Sequence, residues 1–400
     1  MMLSRLRVGG YRSLRDVEWH PGALNVLIGP NAGGKSNVLQ TLELIHRCAA
    51  GGVNGFVKHH GGLSALRWDG TPGAVEFCID TADRPSTGSF AAGGPTGPFS
   101  SSNAFSYTLS LIAPQRDAVA VAEEVLWHSG AESEPVCIRR SGLSAAMLQQ
   151  DGDVLSYDMP EDQIGESALA RTPGPGTAHL TRAFASFLRG WAIYAAVDFP
   201  PDCQARRPPL ASYETQVDSE GGNTAAVLHT LYSEHRAFRD LLDDAMRTAF
   251  GDEFEELVFR PVAAQRVELC LRWRSLDALR PAADLSDGTL RFLFLVAVLA
   301  NPESPALVAI DEPDAGLHPS MLPIVAELAQ EATRRSQVVF TTHSPELLDA
   351  FGPNPPTTTV AELTEGRTVL STLEPDRLAR WVSEYRLGRM FSTGELEALV

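Results

Sequence analysis

The sequence predicts an α/β protein with a parallel sheet in its core, and three observations support this fold class. An apolar stretch, ALNVLIG, runs into the Gly-rich loop GPNAGGKS and then into apolar residues at helical spacing. A second apolar stretch, LVAI, ends in Asp311 and Glu312. Strand-like and helix-like segments alternate through the last third of the chain, as is typical of parallel α/β cores.

The first part of the chain predicts a hairpin and then an antiparallel sheet. The runs LSRLRVGGY and SLRDVEWH are strand-like and separated by a turn, and the strand–loop–helix of GPNAGGKS follows them. From about residue 70 to 157, five short runs favour β structure: AVEFCID, FSYTLSLIA, DAVAVAEEVLW, PVCIRR and DVLSYD. TGSFAAGGPTGPFSSSN, between the first two of these runs, is rich in Gly, Ser and Pro and predicts a mobile loop.

The middle of the chain predicts a mainly helical insertion over residues 161–280. NTAAVLHTLYSEHRAFRDLLDDAMRTAF has the pattern of a long amphipathic helix, and VFRPVAAQRVELCLRWR that of one or two strands. The last third alternates strand and helix: a strand at ALVAIDE, a helix at LPIVAELAQEATR, a strand at QVVFTTH and a helix at PELLDAF. We therefore predict three parts: residues 1–160 with the Gly-rich loop and the antiparallel β subdomain, 161–280, and 281–400.

Composition limits the classes of function and the compartment. With 33 Lys and Arg against 50 Asp and Glu, the net charge is −17, which counts against non-specific coating of nucleic acid but leaves room for a local basic patch. Five scattered cysteines indicate neither zinc nor disulfides, and they suit a reducing cytoplasm. No signal-peptide pattern opens the chain, and the longest apolar run, FLFLVAVLA, is too short to span a membrane.

The loop at 29–36 satisfies GxxxxGK[ST], the pattern of a phosphate-binding loop. Its glycines let backbone N–H groups curl around a β-phosphate, Lys35 would neutralise β and γ oxygens, and the Ser36 hydroxyl would ligate Mg²⁺. The alternative is a chance Gly-rich turn before a helix. The predicted nucleotide ligands of this segment are Gly29, Asn31, Gly33, Gly34, Lys35, Ser36 and Asn37.

Two further segments supply candidate catalytic groups. An apolar strand delivers Asp311 to its carboxyl end, where it would hold Mg²⁺, and the next residue, Glu312, would orient and deprotonate the attacking water. Another strand, QVVFTTH, ends at His343, which could hydrogen-bond the γ-phosphate. Taken alone, the acids are more often solvated strand ends and the histidine an ordinary polar cap. Together with Lys35 they form the predicted catalytic set.

The stretch DLSDGTLRFL presents a second helix start that suits an anion. Ser286 is a favourable N-cap and Gly288 allows close backbone approach. The alternative is a plain capped core helix. A γ-phosphate bound by the chain itself would already face Lys35, Mg²⁺ and His343. We therefore predict that this helix start serves the ATP of a second copy, with two ATP molecules held between two subunits.

Four motifs in this order resemble the ABC-type ATPase heads of the RecF/SMC/OLD group, in particular stand-alone RecF-like proteins. GPNAGGKSN is similar to Walker A, DLSDGTLRFL to the signature, ALVAIDEPDAGLHP to Walker B and the D-loop (Asp314–His318), and TTHSPELLD to the switch histidine. The resemblance implies a two-lobed P-loop ATPase head with an antiparallel β subdomain and a compact helical insertion. It also implies an ATP-dependent homodimer and a nucleotide-binding role for Arg12, which follows the aromatic Tyr11.

Several departures narrow the resemblance. Ala32 and Gly33 replace the usual Gly-Ser of Walker A, and Asp287 and Thr289 replace residues of the transporter-type LSGGQ. The closing YRLGRMFSTGELEALV is similar to the end of stand-alone RecF-like ATPases. We expect neither a long heptad arm nor a nuclease module after the switch histidine. No Q-loop glutamine is convincing, since Gln163 fits a surface residue better.

Three functions stay open from the sequence. The first is an ATP-gated dimer acting on DNA in repair, recombination or anti-phage defence. The second is a regulatory ATPase subunit that controls a separate effector, a nuclease or toxin, and the third and weakest is a transporter ATPase subunit. Basic residues that could contact DNA, each of which could instead be a solvated surface charge, are Arg5, Arg7, Arg12, Arg15, Arg139, Arg140, Arg206 and Arg207.

Overall fold

The computed structural model describes residues 1–70, 73–84, 104–115, 118–129, 135–171 and 176–373. The described strands are β1 (Met2–Tyr11), β2 (Leu14–Trp19), β3 (Leu24–Ile28), β4 (Val75–Ala82), β5 (Phe105–Ile112), β6 (Ala120–His128), β7 (Val136–Ser141), β8 (Ser144–Leu148), β9 (Val154–Asp158), β10 (Trp191–Tyr194), β11 (Phe254–Val262), β12 (Arg266–Trp273), β13 (Arg280–Pro281), β14 (Leu307–Asp311), β15 (Gln337–Thr341), β16 (Thr357–Thr364) and β17 (Arg367–Thr372). The described α-helices are α1 (Lys35–Ala50), α2 (Val53–His59), α3 (Leu63–Leu66), α4 (His179–Arg189), α5 (Thr224–Glu234), α6 (Arg236–Phe250), α7 (Asp287–Leu299), α8 (Leu322–Ala332) and α9 (Pro345–Ala350).

The described residues form two compact units. The first unit contains residues 1–191 and 357–373, and the second contains residues 192–356. The three parts expected from the sequence stay a prediction. None of the described helices has the length and apolar character that a membrane span requires.

An antiparallel sheet of eight strands dominates the first unit, in the order β2-β1-β4-β5-β6-β7-β8-β9. Buried residues alternate with less buried ones along β4 and β5, as expected for strands with one face on a core. The predicted β1–β2 hairpin and the five predicted β runs are present. Strand β8 was not predicted, because SAAML offers few β-branched residues. The expected mobile loop TGSFAAGGPTGPFSSSN lies outside the described residues.

The strand before the Gly-rich loop has a late partner in the chain. Strand β3 pairs in parallel with β16, from Asn25 opposite Thr357 to Ile28 opposite Val360. Strand β17 then pairs with β16 in antiparallel fashion. This second hairpin was not predicted, although TTTVAELT is rich in β-branched residues.

In the second unit, β14 and β15 run parallel and in register, from Leu307 opposite Gln337 to Asp311 opposite Thr341. The helix between them in sequence, α8, packs against β15 and α7. Helix α7 is buried along almost its whole length, which explains its nearly continuous apolar sequence. The predicted strand–helix–strand alternation of this region is confirmed.

The long helix predicted from the NTAAV segment is instead two helices, α5 and α6. His235 between them has an extended backbone, with φ −118° and ψ 97°. The chain folds back there, so that the Tyr232 hydroxyl donates to Asp243 at 3.1 Å. In one continuous helix these residues would lie about 16 Å apart along the axis. The following VFRPVAAQRVELCLRWR segment forms the hairpin of β11 and β12.

Candidate functional site

The Gly-rich loop connects β3 to α1 and has a backbone of alternating handedness. Ala32 and Gly34 have left-handed φ values of 66° and 101°, whereas Gly33 between them does not. Alternation of this kind turns successive N–H groups toward one concave side, which suits an anion. Helix α1 begins at Lys35, and no side chain caps it. Loop and helix start therefore form a cradle of the sort that phosphate groups occupy.

The glycines of this loop are required because the loop lies directly on the β16–β17 hairpin. A Cβ atom on Gly29 or Gly33 would lie 2.1 or 2.4 Å from the carbonyl oxygen of Ala361. A Cβ atom on Gly34 would lie 2.0 Å from the hydroxyl oxygen of Thr368. The hairpin thus fixes the shape of the loop through close backbone contact.

Lys35 lies inside the loop that precedes it. Its side chain is buried, and Nζ donates to the carbonyl oxygens of Gly29 at 2.8 Å and Pro30 at 3.0 Å. The positive charge is therefore held against the cradle, where phosphate oxygens would meet it. The other predicted ligands Asn31 and Ser36 are exposed.

A hydrogen-bonded network supports the loop from outside the motif. The Thr368 hydroxyl donates to the Gly33 carbonyl at 3.0 Å and lies 2.6 Å from the Ser13 hydroxyl. The Asn37 amide donates to the same Ser13 hydroxyl at 2.7 Å. Asn37, predicted as a nucleotide ligand, is therefore engaged in this network. Ser13 and Thr368 were not among the predicted site residues, and only their contacts distinguish them from other hydroxyl residues.

The predicted pair Tyr11 and Arg12 ends β1 in an unusual conformation. Arg12 has a left-handed φ of 46°, and its backbone N–H donates to the Leu66 carbonyl at 2.7 Å. Its Nε is buried without a hydrogen-bond partner. Tyr11 is buried and donates to Gln40 at 3.4 Å, and burial raises the pKa of its phenol. Arg12 thus has one buried donor, Nε, that no described residue engages.

In the second unit the ends of β14 and β15 bring the predicted catalytic carboxylate and histidine together. The Nδ1 of His343 lies 2.9 Å from Oε1 of Glu312, so the imidazole donates to the carboxylate. Both side chains are about half exposed. Glu312 has a left-handed φ of 45°, and its backbone N–H donates to the Thr341 carbonyl at 3.0 Å. Asp311 accepts a hydrogen bond from the Thr341 hydroxyl.

The predicted D-loop lies against the start of α7. Asp314 accepts a hydrogen bond of 2.7 Å from the Thr342 hydroxyl. Burial raises the pKa of Asp314, and the bond from Thr342 opposes that shift. A Cβ atom on Gly288 would lie 2.5 Å from the carbonyl oxygen of Gly316. Gly288 therefore permits the close backbone approach that its position in the sequence predicts.

The start of α7 is capped as expected, and a buried arginine lies next to it. The Ser286 hydroxyl accepts a hydrogen bond of 3.1 Å from the N–H of Thr289, which confirms the predicted N-cap. Asp287, the first residue of the helix, forms an ion pair with Arg206. Arg206 also donates to the Leu285 carbonyl at 2.6 Å. It therefore touches the signature segment on both sides of the cap.

Arg291 is a second arginine, within α7 and close to the end of β14, and it was not among the predicted site residues. Its Nη1 donates to the carbonyl oxygen of Glu312 at 3.2 Å and its Nη2 to that of Val197 at 2.5 Å. Burial lowers the pKa of this guanidinium, and the nearby Asp198, Asp314 and Glu312 oppose the shift. An arginine inside the buried run LRFLFLVAVL was the available signal for a structural or functional role.

The structure corrects part of the predicted basic surface. Arg140 and Arg206 are buried, at 1% and 7% exposure, and most of their donors serve backbone carbonyl oxygens. Their prediction as DNA contacts is wrong, because a buried guanidinium cannot reach a phosphate backbone. Of the remaining candidates, three already have partners: Arg5 with Asp80, Arg7 with Asp16, and Arg15 with the ring of Trp68.

A phosphate loop between strand and helix, a capped signature helix and a Glu–His pair at neighbouring strand ends define an ABC-type P-loop ATPase of the RecF/SMC-like kind. A family model described as "AAA domain, putative AbiEii toxin, Type IV TA system" matches residues 24–92 and 210–349, just over half of the chain. The chain belongs to this family. A comparison with curated proteins gives no match.

Solved structures of SMC heads share the fold. The SMC head bound to the C-terminal winged-helix domain of ScpA aligns over 95% of this chain and 100% of that chain, with a TM-score of 0.52 and 14% identity. The SMC head of Thermotoga maritima aligns over 94% of this chain and 100% of that chain, with a TM-score of 0.40 and 14% identity. An SMC head from Pyrococcus furiosus aligns over 96% of this chain and 99% of that chain, with a TM-score of 0.49 and 12% identity. The predicted resemblance and fold class are confirmed.

Proposed function

We propose that this protein binds and hydrolyses ATP and that ATP drives two copies into a dimer around two nucleotides. The observation that best supports hydrolysis is the 2.9 Å contact between Glu312 and His343. A left-handed residue such as Glu312 costs roughly 1–3 kcal/mol, and such strain is concentrated at functional sites. Thr341 and Arg291 hold the Glu312 backbone in this conformation.

Each proposed catalytic residue has a distinct task. Glu312 orients the attacking water and takes its proton, which requires an ionised carboxylate. His343 aligns that carboxylate through Nδ1–H and, in its doubly protonated form, also donates from Nε2 to the γ-phosphate. Lys35 and the loop N–H groups neutralise the phosphate oxygens, where charge develops during transfer. Arg12 and Asn31 add donors at the nucleotide.

The donor set also fits Mg²⁺, an ion that prefers oxygen ligands. The Ser36 hydroxyl and the Asp311 carboxylate are the residues that would hold it, and the Thr341 hydroxyl orients Asp311. When bound, Mg²⁺ neutralises charge on the phosphate oxygens.

The proposed dimer uses the start of α7. Ser286 lies just before its first turn and Gly288 lies within that turn. The positive end of a helix favours an anion. In the proposed assembly this helix start contacts the γ-phosphate bound by the other copy. Neither copy then has a complete site alone.

Replacement of the proposed base tests hydrolysis directly. Glu312→Gln should bind ATP, lower the rate of phosphate release by at least about a hundredfold, and accumulate as an ATP-dependent dimer in light-scattering measurements. Glu327→Gln, an exposed carboxylate on α8, is the matched control and should hydrolyse ATP like the parent. Hydrolysis at the parent rate by Glu312→Gln would show that the assignment of the base is wrong.

The partner role of the signature has its own test. Ser286→Arg, made in the Glu312→Gln protein, should retain ATP binding and lose ATP-dependent dimerisation, because the long side chain obstructs the approach of the second nucleotide. If the dimers persist, the start of α7 does not face the partner.

We further propose that the ATP-driven dimer acts in defence against invading genomes, with DNA repair or recombination as the less favoured setting. The family description, which names a putative toxin and a type IV toxin–antitoxin system, supports the defence role. The test is duplex DNA binding by Glu312→Gln with ATP, measured by fluorescence anisotropy at several salt concentrations. A direct role on DNA requires salt-sensitive binding, and its absence would overturn that role.

A second candidate function is a regulatory ATPase that controls a separate effector protein. The net charge of −17 and the burial of Arg140 and Arg206 favour it, since both reduce the cationic surface available to DNA. The SMC head in the similar solved structure is bound to a protein domain, that of ScpA. Co-expression with neighbouring genes, followed by purification with and without ATP, would test for an effector that associates in one nucleotide state only.

A further inference from the structure

Arg206 is buried beside the signature segment and has more than one kind of partner. Its donors reach five backbone carbonyl oxygens at 2.6–3.4 Å, those of Phe199, Pro200, Ala282, Ala283 and Leu285. Its Nη2 also pairs with the carboxylate of Asp287. The carbonyl contacts fix the backbone that leads to Ser286, whereas the ion pair sets the charge at the first residue of α7.

Asp287 presents a difficulty for a helix start that receives phosphate. Its side chain is 67% exposed and lies in the first turn, next to the cap Ser286. An aspartate there stabilises the helix itself, because it complements the helix dipole. The same negative charge would repel an incoming nucleotide phosphate. An exposed carboxylate could turn to solvent, yet this one turns toward Arg206, which is 7% exposed.

We propose that Arg206 neutralises Asp287 so that the start of α7 can accept the nucleotide phosphate of a second copy of the chain. This inference rests on the proposed ATP-dependent dimer. Arg206 does not contact the nucleotide in this account. It is a positioning residue that sets the charge and the backbone of the surface that does.

A double-mutant cycle separates neutralisation of Asp287 by Arg206 from support of the backbone by the same residue. In the Glu312→Gln protein, the dimer dissociation constant with ATP is measured by sedimentation for Arg206→Met, Asp287→Asn and the double variant. Arg206→Met should weaken the dimer by about tenfold or more, because it exposes the uncompensated Asp287 charge to the partner's phosphate. The double variant should recover most of this loss, since both charges are gone, and the remainder reports the loss of the carbonyl contacts.

Two outcomes would overturn the proposal. If the double variant dimerises as weakly as Arg206→Met, Arg206 acts only through the carbonyl groups. If Asp287→Asn alone weakens the dimer by more than about threefold, the carboxylate itself contacts the partner and does not need neutralising. The second measurement keeps Arg206 and its carbonyl contacts in the protein, so it remains decisive even if Arg206→Met fails to fold.

Failure of the proposed function looks different from failure of this inference. If Glu312→Gln itself forms no dimer with ATP, the dimer proposal is wrong before any Arg206 variant is made. Nucleotide affinity and thermal melting of each variant report whether the remaining fold is intact. Raising the salt concentration should reduce the difference between Arg206→Met and the double variant, because salt screens exposed charges.

Discussion

Two helix starts in this molecule suit an anion, and they are built in different ways. Helix α1 follows Gly34, has no side-chain cap, and takes its geometry from close contact with the β16–β17 hairpin. Helix α7 follows Ser286, whose hydroxyl caps it, and the charged side chains of Arg206 and Arg291 brace its surroundings. The first is therefore sensitive to added volume, and the second to changes of charge.

The largest effect is expected from a methyl group added to the first helix start. Gly34→Ala places Cβ 2.0 Å from the Thr368 hydroxyl oxygen at a φ of 101°, so the loop must move. We expect ATP affinity to fall by about a hundredfold or more, measured by calorimetry. Gly142→Ala, also at positive φ but with nothing within 4 Å, is the control. It should lose roughly 1–2 kcal/mol of stability and keep ATP affinity, and equal ATP binding by both variants would contradict the steric account.

A smaller effect is expected when a charge is removed next to the second helix start. Arg291→Met removes the donors to the carbonyl groups of Glu312 and Val197. Steady-state kinetics should show kcat lower by about tenfold, because Glu312 loses an anchor, with ATP affinity little changed. Arg334→Met, an exposed arginine, should behave like the parent. If Arg291→Met lowered ATP affinity and left kcat unchanged, the start of α7 would not differ from the start of α1 in the way described.

A hydroxyl removed from the loop support should have a moderate effect. Thr368→Val keeps the shape of the side chain but removes the donor to the Gly33 carbonyl and the contact with Ser13. We expect the KM for ATP to rise by about fivefold at similar kcat, as one hydrogen bond contributes roughly 0.5–1.5 kcal/mol. Thr368→Ser should restore most of the affinity. No recovery would mean that the methyl group, and not the hydroxyl, supports the loop.

The smallest expected effect is a pH dependence of stability near α1. Burial lowers the pKa of His46 below its ordinary value of 6.5, and Nδ1 donates to the Leu188 carbonyl at 2.9 Å. The unfolded chain then binds a proton more readily than the folded one, so stability is full above pH 6.5 and falls as the pH drops below it. His46→Gln should narrow the difference in Tm between pH 7.5 and 5.5 by about 1–2 °C. An unchanged difference would show that His46 titrates normally.

The sequence predicted those parts of the site whose signals are local. The Ser286 cap can be read from four neighbouring residues, and the phosphate loop from eight. The proximity of Glu312 and His343 follows from a general rule, because both residues come just after the carboxyl ends of parallel strands and such ends share one edge of a sheet.

The supporting residues could not be predicted in the same way. Thr368 and Ser13 are 355 residues apart, and nothing in either sequence neighbourhood points to the other. Arg206 resembles a surface charge until the fold shows it buried beside Asp287. The break at His235 also lacks a proline or glycine signal, since it depends on packing between α5 and α6.

The β16–β17 hairpin has a consequence for how the protein comes into being on the ribosome. The strand that carries the phosphate loop is made long before Ala361 and Thr368, against which that loop is shaped, because Gly33 and Thr368 are 335 residues apart. Nascent chains that stop before this hairpin contain the whole motif and lack the surface that moulds it. The complete nucleotide loop can therefore form only after the hairpin has been made, long after the motif itself.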